Sequence, residues 1–168
     1  MLHCPFGGGD GALARGGVVR AIRCQDGRVT RHLFLLKPRW SDLDAYAHVN
    51  NVTWLEYLQE ARVDMLFVHP PVPGAEGLAE GVLVIRAEID YRRVMLFRQE
   101  PYPIEMWVSR IGGASFTISY EIADPADPGG RRVIYGRAST VLAPVDIATG
   151  APRRLNEIER EVLTKFLE

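Results

Sequence analysis

The stretch Arg39-Trp40-Ser41-Asp42-Leu43-Asp44-Ala45-Tyr46-Ala47-His48-Val49-Asn50-Asn51 decides how this chain is read. Just before it, Leu33-Phe34-Leu35-Leu36 has the look of a buried strand. Just after it, Val52, Leu55, Leu58, Ala61, Met65 and Val68 recur at three- and four-residue steps, which marks one face of a helix. That helix is predicted to run roughly 17 residues, long enough to cross several strands, until Pro70-Pro71 stops it. Asn50 or Asn51 suits its cap, because a short amide oxygen accepts from the first orphan N–H groups. A strand therefore ends in a polar loop holding carboxylates, an imidazole and carboxamides, directly ahead of a helix N-terminus. Unpaired N–H groups and a partial positive charge there can hold an oxygen that turns negative during a reaction. An acid/base residue beside such a site is the minimum equipment for acyl transfer.

Outward from this loop, strict alternation marks strands. Leu83, Ile85, Ala87, Ile89 and Tyr91 alternate with Arg86, Glu88, Asp90 and Arg92. Ile104, Met106 and Val108 form a second strand, and Phe116, Ile118, Tyr120 and Ile122 a third. Residues 133–143 form the last, after the turn-rich Asp124-Pro125-Ala126-Asp127-Pro128-Gly129-Gly130. Short connections favour antiparallel pairing. Leu155, Ile158, Val162 and Phe166 then fall at helical spacing, with Asn156 and Glu159 as a capping box. Upstream, residues 18–30 carry a modest hairpin signal at Asp26-Gly27 and either add a strand to a sheet edge or stay unordered. Residues 1–17 read as a Gly-rich flexible tail and residues 18–168 as a single domain. The fold class is α+β: about five antiparallel strands around one long helix, plus a C-terminal helix. With little chain left to cover the sheet's other face and edges, at least a dimer is expected.

Composition excludes several alternatives. A net charge of −1 gives no support to nucleic acid or an anionic membrane as partner. No apolar run approaches the roughly 20 residues that span a bilayer. Cys4 and Cys24 are too few for a disulfide scaffold and lack companions at zinc spacing, so a reducing, cytoplasmic setting is expected, with no metal and no cofactor. There is no Gly-x-Ser-x-Gly elbow to suggest a serine hydrolase.

The run from Asp42 to Asn51, followed by Trp54-Leu55-Glu56-Tyr57-Leu58-Gln59-Glu60-Ala61-Arg62, resembles the hotdog-fold acyl-CoA thioesterases, and among them the 4-hydroxybenzoyl-CoA thioesterase-like branch. Asp90-Tyr91-Arg92-Arg93 and Ile111-Gly112-Gly113-Ala114-Ser115-Phe116 also match that pattern. The resemblance covers about residues 33–143 and implies a sheet wrapped round the helix, active sites at a dimer interface, and dimers that often pair into tetramers. It implies hydrolysis of a coenzyme A thioester, with Asp44 as the catalytic carboxylate and the backbone N–H at or next to Asn51 polarising the carbonyl. Two departures stand out. Many relatives have Gly where this chain has Ala47, and Tyr46 replaces the Asn of the related plant acyl-carrier-protein enzymes.

Each candidate also has a plainer reading. Asp44 can be a turn residue, or it can serve as nucleophile or general base. Asp42 fits a structural bond to Arg39. His48 can orient water or the carbonyl, or simply be a satisfied loop histidine. Asn50 and Asn51 suit caps whose backbone meets the substrate. Trp54 and Tyr57 can line an acyl pocket or pack on the sheet. Arg92, Arg93 and Arg98 can meet the phosphates of coenzyme A or form a solvated edge, and Ser115 can bond the pantetheine arm. The functional expectation is an acyl-CoA thioesterase. Its alternatives are an acyl-ACP thioesterase and a non-catalytic acyl-binding module.

Overall fold

Period-two patterning becomes an antiparallel sheet in the computed structural model, which describes residues 20–22, 31–68, 78 and 81–168. Among the described residues six strands pair in the order β1-β2-β4-β5-β6-β3: β1 Arg20–Ile22, β2 Arg31–Leu36, β3 Val82–Tyr91, β4 Tyr102–Ile111, β5 Phe116–Ala123 and β6 Ile134–Pro144. The sixth strand is short β1, which joins the sheet edge beside β2. The Asp26-Gly27 turn, the N-terminal tail, both cysteines and Pro70-Pro71 lie outside the described residues.

Along β4 and β5 the inward residues Ile104, Met106, Val108, Phe116, Ile118, Tyr120 and Ile122 are buried. Their outward neighbours carry charge. Glu105 pairs with Arg31 and Arg132, and Glu121 with Arg132 and Arg137, so the outer face is a polar surface.

The inner face receives α1, Asn51–Val63, which continues as a π-helical turn, Asp64–Val68. The regular helix is thus shorter than its apolar spacing suggests, and its buried face is different. Trp54, Tyr57, Leu58, Ala61 and Met65 are buried, whereas Val52, Leu55 and Val68 are exposed. The chain carries two adjacent apolar flanks on this helix, and only one meets the sheet. Burying a side chain such as Leu58 contributes about 1.5–3 kcal/mol.

β3 is an edge strand, which explains why its alternation does not become burial. Leu83, Val84 and Ile85 are all exposed, across a register shift between Val84 and Arg86. At the C-terminus α2, Glu157–Thr164, has the expected capping box. Asn156 accepts from the Glu159 N–H, and Glu159 accepts from the Asn156 N–H. Ile158 stays exposed, while Leu155, Val162, Leu163 and Phe166 fill the core. None of the described helices is long and apolar enough to cross a membrane.

Candidate active site

The loop between β2 and α1 is held from several sides. Asp42, in a short 3-10 turn, is buried; its carboxylate accepts from the Arg39 N–H at 2.7 Å, the Arg39 Nε at 3.0 Å and the Tyr57 hydroxyl at 2.6 Å. Burial pushes this carboxyl's pKa up, but the Tyr57 bond and the Arg39 contacts more than offset it and hold it below the ordinary value. Burial and the bond to Asp42 push the Tyr57 hydroxyl well above its usual value. Asp42 is therefore the structural anchor, and its carbonyl also accepts from the Asn50 N–H at 2.9 Å.

Downstream, the Asp44 Oδ1 accepts from the backbone N–H groups of Tyr46 (2.8 Å) and His48 (3.1 Å), a tight Asx-type turn. The Asp44 N–H donates to the His48 carbonyl at 2.8 Å, and the Ala47 N–H to the Asp44 carbonyl at 3.1 Å. Ala47 adopts the left-handed conformation, φ 59°, that Gly in many relatives would take without strain. The strain costs about 1–2 kcal/mol and is held in place by the bonds that Asp44 makes to Tyr46, Ala47 and His48. The far side of the loop is tied to the segment after β3: Val49 donates to the Met95 carbonyl at 2.8 Å, and His48 bridges Leu96.

Asn50 caps α1, its side chain accepting from the Val52 N–H at 2.9 Å. Asn51 is the first helical residue, and its N–H is one of the orphan donors of the helix N-terminus. The Tyr91 hydroxyl donates to the Asn51 carbonyl at 3.0 Å and tethers this end of α1 to β3. Trp54 packs edge-on against Tyr91 at 5.1 Å and lies over Gly136, where a Cβ would come within 2.6 Å of its ring.

These elements enclose a pocket of about 300 Å³ lined by Asp44, His48, Asn51, Trp54, Arg92 and Arg93, with Val49, Tyr91, Val94 and Met95 completing it. Six of the residues singled out from sequence meet here. The rest do not. Asn50 is spent on the cap. Ser115 lies before β5, at the opposite end of the sheet. Phe116 pairs with Leu142 there, whereas the pocket adjoins the Gly136–Ile122 end, roughly 20 Å away along the strand. Arg98 is committed to Asp124, with bonds of 2.6 and 3.0 Å, and its guanidinium lies 3.5 Å over the Tyr102 ring. Val49, Tyr91, Val94 and Met95 are the pocket residues that sequence reasoning missed. Val49 and Tyr91 stood in quoted motifs without a site role, and Val94 and Met95 carried no signal at all.

Arg92 and Arg93 both donate their backbone N–H to the Tyr135 carbonyl, leaving the two guanidinium groups exposed at the pocket. The arrangement combines a carboxylate, an imidazole, a helix N-terminus and two cations around one opening. It can polarise a carbonyl, deliver a nucleophile and attract an anionic leaving group.

Residues 38–166 match the profile of the thioesterase-like superfamily. Solved structures with the same fold include a predicted thioesterase from Bacillus stearothermophilus (23% identity, 81% of this chain and 96% of that one, TM-score 0.66). YbaW of Escherichia coli is similar at 27% identity (81% and 98% covered, TM-score 0.64). A thioesterase from Thermus thermophilus, solved with coenzyme A and zinc, is similar at 24% (78% and 95% covered, TM-score 0.62). No functionally curated sequence matches the chain. Its strand order, its central helix and the span of the match together establish the family: this chain is a hotdog-fold thioester hydrolase belonging to the thioesterase-like superfamily.

Proposed function

We propose that the chain hydrolyses acyl-CoA thioesters to a carboxylic acid and free coenzyme A. The observation that carries this reading is the shared pocket of Asp44 and Asn51, the acid/base residue and the helix tip. The substrate carbonyl oxygen accepts from the N–H at or next to Asn51, where the α1 dipole stabilises the oxyanion. Asp44 then acts by one of two routes with the same geometry. Its carboxylate attacks the carbonyl to give a mixed anhydride that water cleaves, or it takes a proton from a water that attacks directly. Coenzyme A leaves as a thiolate of low basicity, so no strong general acid is needed. His48, on the pocket wall, orients the water or the carbonyl.

The carrier is read from Arg92 and Arg93. Neither is ion-paired among the described residues, and both flank the opening where phosphates would approach. The T. thermophilus protein's coenzyme A supports the same carrier here. The working unit is at least a homodimer. Exposed Leu83, Val84 and Ile85 lie on β3, an edge strand among the described residues, and exposed Val52 and Leu55 form a separate apolar flank of α1; a second copy would cover such surfaces. A cytoplasmic setting fits this substrate.

The test is thiol release from one acyl group carried on coenzyme A and on acyl carrier protein. Faster turnover of the coenzyme A ester, with KM raised several-fold by Arg92→Ala or Arg93→Ala, is expected. Preference for the protein carrier, or binding without thiol release across short, long and aromatic acyl-CoAs, overturns it.

A further inference from the structure

Three short backbone runs lie side by side at the site. The Asp44 N–H donates to the His48 carbonyl and the His48 N–H to the Asp44 carboxylate, so both backbone groups of His48 point toward Asp44. On its other side His48 stands opposite Leu96 in an antiparallel bridge, and one residue along the Val49 N–H donates to the Met95 carbonyl. That bond makes His48 and Leu96 a non-hydrogen-bonded pair, with Cα atoms about 4.5 Å apart and side chains close together on one face. It also turns the Leu96 N–H and carbonyl away from His48, toward Tyr102.

A single side chain serves both groups. The Tyr102 hydroxyl accepts from the Leu96 N–H at 3.1 Å and donates to the Leu96 carbonyl at 2.9 Å, standing where the peptide of a next strand would stand. Tyr102 begins β4 and is buried. Its ring is clamped: the Arg98 guanidinium lies 3.5 Å over it, and the Tyr135 ring meets it edge to face at 4.9 Å. The clamp closes on itself, because Asp124 accepts two bonds from Arg98 and one of 2.6 Å from the Tyr135 hydroxyl. The Tyr135 carbonyl in turn accepts from the Arg92 and Arg93 N–H groups. One cluster therefore grips the pocket wall, residues 92–96, at both ends. Filling the core needs only a ring, which Phe would supply; the oxygen of Tyr102 serves the Leu96 backbone.

We propose that Tyr102 is a positioning residue for the reaction. Through its two bonds to the Leu96 backbone it holds the run against which His48 stands, and so fixes the imidazole beside Asp44. This rests on the thioesterase reading above and adds a residue that acts on turnover from outside the pocket. Tyr102 does not line the pocket, so its effect falls on kcat and not on KM.

The experiment compares Tyr102→Phe with wild type and with Tyr120→Phe, which removes the hydroxyl of a similarly buried tyrosine bonded to Arg62 outside the pocket. With the acyl-CoA that wild type turns over fastest, Tyr102→Phe should lower kcat by about tenfold and leave KM within about twofold, because a sub-ångström shift of the reacting groups slows the chemical step. Tyr120→Phe should keep the wild-type kcat, whatever it loses in melting temperature. In a His48→Ala background the Tyr102 substitution should cost at most about twofold, since both changes act on one group. Nuclear magnetic resonance gives a second readout that needs no turnover. In Tyr102→Phe the Leu96 amide should exchange with solvent about tenfold faster and the His48 ring signals should move, while Tyr120→Phe leaves both as in wild type. If wild type releases thiol from no acyl-CoA, the hydrolytic reading fails and the His48 ring signals alone decide the positioning role. An unchanged kcat in Tyr102→Phe, a loss confined to KM, an equal fall in Tyr120→Phe, a full loss persisting in the His48→Ala background, or unmoved His48 signals overturns the proposal.

Discussion

Tyr57→Phe removes one oxygen and leaves the ring in place, so it probes the anchor of the β2–α1 loop without opening a cavity. The lost bond is the 2.6 Å donation to the Asp42 carboxylate, whose side chain is only 3% exposed. A bond to a buried charged group contributes about 1.5–3 kcal/mol. At about 2–4 °C per kcal/mol for a chain of this size, the melting temperature should fall by about 3–12 °C at neutral pH. The sign with pH follows from Asp42 having its folded pKa below the ordinary value. Its contribution is present above the unfolded carboxylate pKa of about 3.9 and is lost as pH drops through the folded value. The gap between wild type and variant should therefore narrow below about pH 4. Activity should fall as well, because Asp42 holds the Asn50 N–H and so sets Asp44 relative to the helix tip. A displacement approaching 1 Å can cost up to about a hundredfold in turnover. Thermal unfolding across pH, with kcat and KM at neutral pH, reads both effects. A variant that melts within 1 °C or so of wild type and turns over normally would refute the anchoring argument.

Ala47→Gly should raise stability by about 0.5–1 kcal/mol, since it relieves the left-handed strain and gives part of that back as unfolded-chain entropy; equilibrium denaturation measures it. Gly136→Ala drives a Cβ to 2.6 Å from the Trp54 ring and 3.0 Å from the Asp90 carbonyl, so it should cost about 1–3 kcal/mol and reduce activity through the displaced pocket wall. Arg98→Ala should lower the melting temperature, since it breaks the Asp124 pair and uncovers Tyr102, without changing KM for an acyl-CoA. Arg92→Ala and Arg93→Ala should do the reverse.

How much was legible depended on how local each signal is. The α2 capping box links Asn156 to Glu159 across three residues, so pattern alone located it. The strands came through because alternation is a property of each segment by itself. The α1 face did not. Val52 and Leu55 share the spacing of Leu58 and Ala61, and periodicity does not distinguish a flank packed on a sheet from one left open. Contacts between distant residues were equally hidden. Arg92, Arg93 and Arg98 look alike in sequence, and only the approach of Asp124, 26 residues away, removes Arg98 from the site. Ser115 stands apart from Asp44 within the chain because antiparallel topology sends its hairpin to the other end of the sheet. Asp44, His48 and Asn51 were legible together because a single short loop carries all three.

The central claim is that the Asp44 carboxylate and the α1 tip act on one thioester. The direct measurement is kcat/KM of Asp44→Asn for the best acyl-CoA, on protein shown by its melting curve to be folded. The account predicts a loss of about a hundredfold or more, on the scale of removing a positioned acid/base group. A folded Asp44→Asn enzyme with wild-type turnover would contradict it.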